Sequence, residues 1–131
     1  MFVDTQYLLA LLNPDDDWHA AAVTAGVNAR SRRITTDAVL IELADAFCRR
    51  THRTDAAMAI KDLLSDPDFE CVPLDRKLFD RGFELYRERE DKDWSLTDCI
   101  SFVVMKERKI ELALTADRHF EQAGFRALLR D

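Results

Sequence analysis

Met1-Phe2-Val3-Asp4-Thr5-Gln6-Tyr7-Leu8-Leu9-Ala10-Leu11-Leu12 is a short apolar run that ends on an acid and turns directly into a helical pattern. Three apolar residues followed by Asp read as a strand feeding an N-cap, since a carboxylate there accepts from the free N–H groups of the first turn. Asn13-Pro14 breaks the helix. The same strand–acid–helix unit returns late in the chain. There Glu111–Thr115 reads as a strand and Asp117 precedes a short helix over Arg118–Ala123.

Strands and helices alternate between these two units. Asp16 or Asp17 offers a cap to a second helix, on which Trp18, Ala21, Ala22 and Ala25 share a face. Arg33–Thr36 reads as a strand, and from Asp37 a helix runs that is apolar nearly all round, interrupted by Glu42 and Asp45. Thr54 is the expected cap of the next helix, which stops at Asp66-Pro67. Phe69–Leu74 is a third strand, and Asp75 caps a helix with Leu78, Phe79, Leu85 and Tyr86 on one face. Ser95 begins another helix, and Phe125–Leu128 is a weak fifth strand. This order predicts an α/β fold: a three-layer α/β/α sandwich with a central parallel sheet joined by right-handed crossovers.

The 131 residues are expected to form a single domain over 1–131. A net charge of −6 argues against broad electrostatic attraction to nucleic acid, so RNA affinity would need local basic strips and a bound cation. Arg30, Arg32 and Arg33 form one strip, and Arg49, Arg50 and Arg53 another; both read as solvated helix ends where cations complement the C-terminal dipole. Cys48, Cys71 and Cys99 are scattered without metal-ligand spacing and read as reduced thiols. No apolar run approaches the ~18 residues of a membrane span. An acid at position 4 with no basic residue before it spoils a signal peptide. The expected location is cytoplasmic.

Four acids carry the chemistry: Asp4, Glu42, Asp98 and Asp117. Each has a plain structural explanation. Asp4 and Asp117 fit helix caps, and Ser95-Leu96-Thr97-Asp98 fits a capping box. Glu42 lies inside Ala38-Val39-Leu40-Ile41-Glu42-Leu43-Ala44, where burial of an unpaired carboxylate costs several kcal/mol, so a basic partner is the plain alternative. Asp45 is read as structural, pairing with Arg49. What separates the four from independent caps is their recurrence at consecutive sheet ends, where open parallel sheets bind ligands. Two carboxylates ~4 Å apart repel by on the order of 4 kcal/mol at an effective dielectric of ~20. Protons or a divalent ion must relieve that repulsion.

These residues resemble a PIN domain, specifically the small VapC-type toxins of bacterial toxin–antitoxin pairs. The resemblance runs the whole length of the chain. It rests on the apolar start ending in Asp4-Thr5, on Asp17-Trp18-His19, and on Thr35-Thr36 followed by Val39-Leu40-Ile41-Glu42-Leu43. Its most specific part is Trp94-Ser95-Leu96-Thr97-Asp98-Cys99, and Leu114-Thr115-Ala116-Asp117-Arg118-His119-Phe120 with Gly124-Phe125 closes it. It implies strand order 3-2-1-4-5, which would bring Asp4, Asp98 and Asp117 together with Glu42 facing them. It implies an endoribonuclease that cuts single-stranded RNA with Mg²⁺, or with Mn²⁺ as the alternative. Asp4 and Asp98 would be the direct metal ligands, with Glu42 and Asp117 contributing directly or through water. A cognate antitoxin in an apolar groove and a homodimer are further family expectations. Thr5 stands where the family often has Ser, and either hydroxyl would orient Asp4 or a water. Trp94 and Cys99 are read as packing residues, and His119 as a structural or polar surface residue.

Competing classes fit less well. A phosphotransfer receiver needs an acidic pair after the first strand and a Lys after the last, but only Asp4 follows the first strand and no Lys lies beyond Lys109. A haloacid-dehalogenase-type phosphatase needs a second Asp at position 6, which is Gln6. A PIN nuclease of RNA maturation or decay, and a non-catalytic RNA-binding or regulatory module, remain as alternatives to the toxin.

Overall fold

Residues 1–29 and 31–131 are described by the structure, a computed structural model. In chain order the elements are β1 (Phe2–Val3), α1 (Thr5–Leu12), α2 (His19–Asn28), β2 (Arg33–Thr36), α3 (Asp37–Ala46) and α4 (Arg50–Ser65). There follow β3 (Phe69–Val72), α5 (Arg76–Glu88), α6 (Leu96–Glu107), β4 (Leu112–Leu114), α7 (Arg118–Gln122), β5 (Arg126–Ala127) and a closing 3₁₀ turn, Leu128–Arg130. The strands form one parallel sheet of order β3-β2-β1-β4-β5, flanked by helices. This is the predicted sandwich and the predicted strand order.

β1 and β4 lie side by side in the interior of the sheet. Phe2, Val3, Ala113 and Leu114 are all buried, as strands covered on both faces of a parallel sheet must be. Their register pairs Val3 with Leu114, and the Asp4 N–H donates to the Leu114 carbonyl at 3.3 Å. The carboxyl ends of the two central strands are therefore level, although more than a hundred residues separate them in sequence.

A seam of aromatic rings holds the helices behind this edge. Phe102 of α6 meets Trp94 edge-on at 5.0 Å and Phe120 of α7 edge-on at 4.9 Å. Offset and edge-to-face pairs of this kind add about 0.5–1.5 kcal/mol beyond their buried area. The Trp94 indole N–H donates to Gln122 Oε1 at 3.0 Å, tying the start of α6 to the end of α7. Cys99 is fully buried beside them, a packing residue as expected. On the other side of α6, Gly82 of α5 lies so close to Ile100 that an added Cβ would meet the Ile100 side chain at 2.4 Å.

Several sequence expectations are revised. α4 starts at Arg50 rather than after Thr54, with Arg49 at its N-cap position. Arg50 and Arg53 therefore sit at a helix N-terminus, where the dipole disfavours cations, and Arg53 instead donates to the Cys48 carbonyl at 3.0 Å. Arg33 lies in β2 and pairs with Asp66, while Arg32 pairs with Glu70. Their neighbour Arg30 lies outside the described residues. α3 ends at Ala46, which leaves Arg49 off its surface, and no ion pair joins Asp45 to Arg49 among the described residues. The N-cap position of α2 is Trp18, and Asp16 acts one step earlier, accepting from the Trp18 N–H at 2.8 Å. α3 is apolar on one side only, since Ile41 is 55% exposed and Glu42 half-buried. No helix of the described residues is long and apolar enough to cross a membrane.

Candidate active site

Asp4 occupies the N-cap position of α1, yet its side chain makes no capping bond. Its Oδ2 instead accepts the Thr115 hydroxyl at 2.7 Å. The carboxyl group is buried, and that burial pushes its pKa up to about 7; the charges of Asp98 and Asp117 add to the rise and the Thr115 hydroxyl opposes it. The same Thr115 oxygen accepts from the Asp117 N–H at 3.0 Å. One hydroxyl therefore joins the ends of β1 and β4.

Asp98 does two jobs with one side chain. It completes the capping box of α6: the Ser95 oxygen accepts from the Asp98 N–H at 3.0 Å, and Asp98 Oδ2 accepts from the Ser95 N–H at 3.1 Å. The same Oδ2 lies 3.1 Å from His119 Nδ1. Burial raises the Asp98 pKa, the Ser95 N–H opposes the rise, the Asp117 charge adds to it, and His119 opposes it.

Asp117 caps α7 by accepting from the His119 N–H at 2.9 Å, and its Oδ1 also lies 3.4 Å from His119 Nδ1. Both plain cap explanations, for Asp98 and for Asp117, are thus true. They do not exclude a site, because each cap places its carboxylate at the same sheet edge. Asp98, Asp117 and His119 each offer a donor atom within 4.8 Å of the others. Asp4 is outside that tight group but close enough to feel both of its carboxylates. Among the described residues no Lys or Arg forms an ion pair with Asp4, Asp98 or Asp117.

Glu42 is placed apart from the tight group. It projects from α3 into an apolar groove of about 280 Å³ that also touches Ile41, Phe79, Leu96 and Thr97, the residue before Asp98. Asp117 itself lines a larger cavity, of about 510 Å³, with Gln6, Asp15, Asp16, Asp17 and Trp18. His119 is the residue that sequence reading placed as structural or on the surface. The signal for it was its position two residues after a helix-capping Asp, which returns its backbone N–H, and here its ring, to the capping carboxylate.

The residues suit a hard divalent cation. The donors are mainly carboxylate oxygens, two of them with pKa values raised by burial, and an ion among them would favour their charged forms. Thr5 supplies an independent sign. Its Oγ1 is buried next to Asp4 in sequence and has no hydrogen-bond partner, a state that a water or ion contact relieves.

The PIN domain family profile matches residues 1–126. The chain is 31% identical over 126 residues to the "23S rRNA-specific endonuclease VapC20" of Mycobacterium tuberculosis, from strains CDC 1551 / Oshkosh and ATCC 25618 / H37Rv, covering 95% of this chain and 95% of each relative. The crystal structure of Mycobacterium tuberculosis VapC20, a sarcin-ricin loop cleaving toxin, matches with a TM-score of 0.88 at 26% identity, over 95% of both chains. The chain belongs to the PIN domain family and is homologous to a VapC toxin endonuclease.

Proposed function

We infer that the protein is a divalent-metal-dependent endoribonuclease, the toxin of a toxin–antitoxin pair, which hydrolyses phosphodiester bonds in a single-stranded RNA segment. The observation that carries this reading is the convergence of Asp4, Asp98 and Asp117 at the ends of the two central strands, without a Lys or Arg partner among the described residues. Similarity to a 23S rRNA-specific endonuclease makes an exposed loop of large-subunit rRNA the first substrate to try.

In this assignment Asp4, Asp98 and Asp117 hold the cation, Mg²⁺ or Mn²⁺, and Glu42 approaches the RNA from the α3 side. When bound, the cation supplies Lewis-acid activation of water and charge stabilisation at the leaving oxygen. The Thr115 hydroxyl fixes Asp4, and the Ser95 box fixes Asp98, so neither carboxylate has to be ordered as substrate arrives. Without a cation the walls of the site, Asp15, Asp16 and Asp17 included, repel phosphate. Glu42 or Asp117 serves as general base toward the attacking water.

The groove beside Glu42 suits an antitoxin helix, because Ile41 and Phe79 leave apolar surface beside the carboxylates. An arginine carried by that helix would compete with the cation. A homodimer in the cytoplasm completes the assignment.

The test is cleavage of labelled short RNAs, a sarcin–ricin loop hairpin among them, by purified protein with Mg²⁺ or Mn²⁺. Cleavage is expected to stop with EDTA and with D98N, the latter retaining a native circular dichroism spectrum. A D98N protein that cuts at the wild-type rate, or cleavage indifferent to EDTA, refutes the assignment.

A further inference from the structure

His119 meets both neighbouring carboxylates through a single atom, Nδ1, at 3.1 Å from Asp98 Oδ2 and 3.4 Å from Asp117 Oδ1. A ring nitrogen carries at most one hydrogen, so it cannot make two good hydrogen bonds at once. The 3.4 Å separation is long for one. Donor atoms at adjacent corners of an octahedron, around a cation held at about 2.1 Å, lie about 3 Å apart. The two separations suit that arrangement at least as well as a hydrogen bond.

The imidazole is also held in place from below. Its own backbone N–H is fixed on Asp117 Oδ1 at 2.9 Å, and the next residue, Phe120, is fully buried against Phe2 and Phe102. The ring is only partly exposed, at 30%. Asp98 and Asp117 are two of the three carboxylates that the metal-dependent reading needs, and with His119 their donor atoms form the one tight group of potential metal ligands among the described residues.

Resting on that reading, we propose that His119 Nδ1 is itself a ligand of the cation, completing an oxygen–oxygen–nitrogen set with Asp98 and Asp117. An imidazole nitrogen adds little for Mg²⁺, which keeps oxygen donors and water, and adds more along the series from Mn²⁺ upward. The set therefore makes Mn²⁺ the preferred ion over Mg²⁺. The other two histidines do not compete, since His19 Nδ1 engages the Ala10 carbonyl and His52 of α4 packs on Phe47, just past the end of α3.

The test is pulsed electron paramagnetic resonance of the full chain loaded with Mn²⁺, with and without ¹⁵N-labelled histidine, together with calorimetric titration of Mn²⁺ and Mg²⁺. Directly bound imidazole is expected to give a nitrogen hyperfine coupling that changes with ¹⁵N labelling and vanishes in H119Q. The Gln amide retains a hydrogen-bond donor for the carboxylates but offers no ring nitrogen. Mn²⁺ affinity is expected to fall about tenfold or more in H119Q, with a smaller loss for Mg²⁺. Bound Mn²⁺ without nitrogen coupling in the wild type overturns the proposal while leaving the metal-dependent nuclease intact. Binding of Mg²⁺ without Mn²⁺ likewise overturns the proposal alone, and binding of neither ion by the wild type overturns both. The labelling arm needs no variant, so a folding failure of H119Q does not blunt it.

Discussion

The Thr115 hydroxyl donates to Asp4 Oδ2 at 2.7 Å, joining residues 111 apart in sequence, and the same oxygen accepts from the Asp117 N–H. Valine at position 115 would keep the shape and delete both bonds. T115V is expected to lose about 1–3 kcal/mol of stability in chemical denaturation, because the buried Asp4 carboxyl and the part-buried Asp117 N–H are left unpartnered. It is also expected to bind divalent ions more weakly in calorimetry. T115S should restore most of both; equal behaviour of the two variants would show that the hydroxyl is not what orients Asp4.

Asp4 makes stability depend on pH. Its folded pKa of about 7 lies above the ordinary 3.8, so the fold favours the protonated form. That contribution is fully present below about pH 3.8 and is lost as pH rises through about 7. At about 1.4 kcal/mol per pKa unit, the loss is on the order of 4 kcal/mol in metal-free protein. Thermal melting with EDTA should therefore show a lower Tm at pH 8 than at pH 5.5, net of other groups. D4N should flatten that dependence and melt higher than wild type at pH 8, while losing cleavage. A D4N protein with an unchanged pH profile would remove Asp4 as its source.

Cap and chemistry can be separated at Asp98. S95A removes the hydroxyl that accepts from the Asp98 N–H and should cost about 1 kcal/mol of stability, with RNA cleavage reduced only modestly. D98N keeps an acceptor for the Ser95 N–H and should melt near the wild type, yet lose cleavage by several orders of magnitude. Single-turnover cleavage and melting of the two variants provide the check. Equal loss of activity in both would mean that the box, rather than the charge, is what matters.

Gly82 tests the helix packing that carries the site. An alanine Cβ would meet Ile100 Cγ1 at 2.4 Å and its backbone Cα at 3.2 Å, so α5 and α6 must separate. G82A is expected to cost about 1–3 kcal/mol in urea denaturation despite alanine's better helix propensity. A stabilised G82A would show that α5 shifts freely.

Most element boundaries were legible because apolar runs, Asn13-Pro14 and Asp66-Pro67 are local signals, whereas the strand order followed from the resemblance to PIN domains and not from any local signal. The start of α4 was not, since Thr54 looks like a cap wherever it stands and only the chain path shows Arg49 holding that place. Glu42 was argued from a helix buried all round, and the exposure of Ile41 removes that argument; its place in the groove beside Thr97 is what the structure offers instead. The position of His119 two residues past the capping Asp117 is a local signal, but that its ring turns onto both Asp98 and Asp117 is a tertiary fact.

By itself, the order of residues determined that strands alternate with helices, that Asp4 and Asp117 follow strands, and that Asp98 stands third in a helix begun by Ser95. Those outcomes depend on interactions a few residues long. Only the tertiary structure decided that Asp98 and Asp117 share one imidazole, that Thr115 rather than α1 takes the Asp4 carboxylate, and that Glu42 lines a groove outside the tight group. Those contacts span from about twenty to more than a hundred residues, and they exist because parallel pairing sets the ends of β1 and β4 level while ring packing at Phe102 seats α6 against α7.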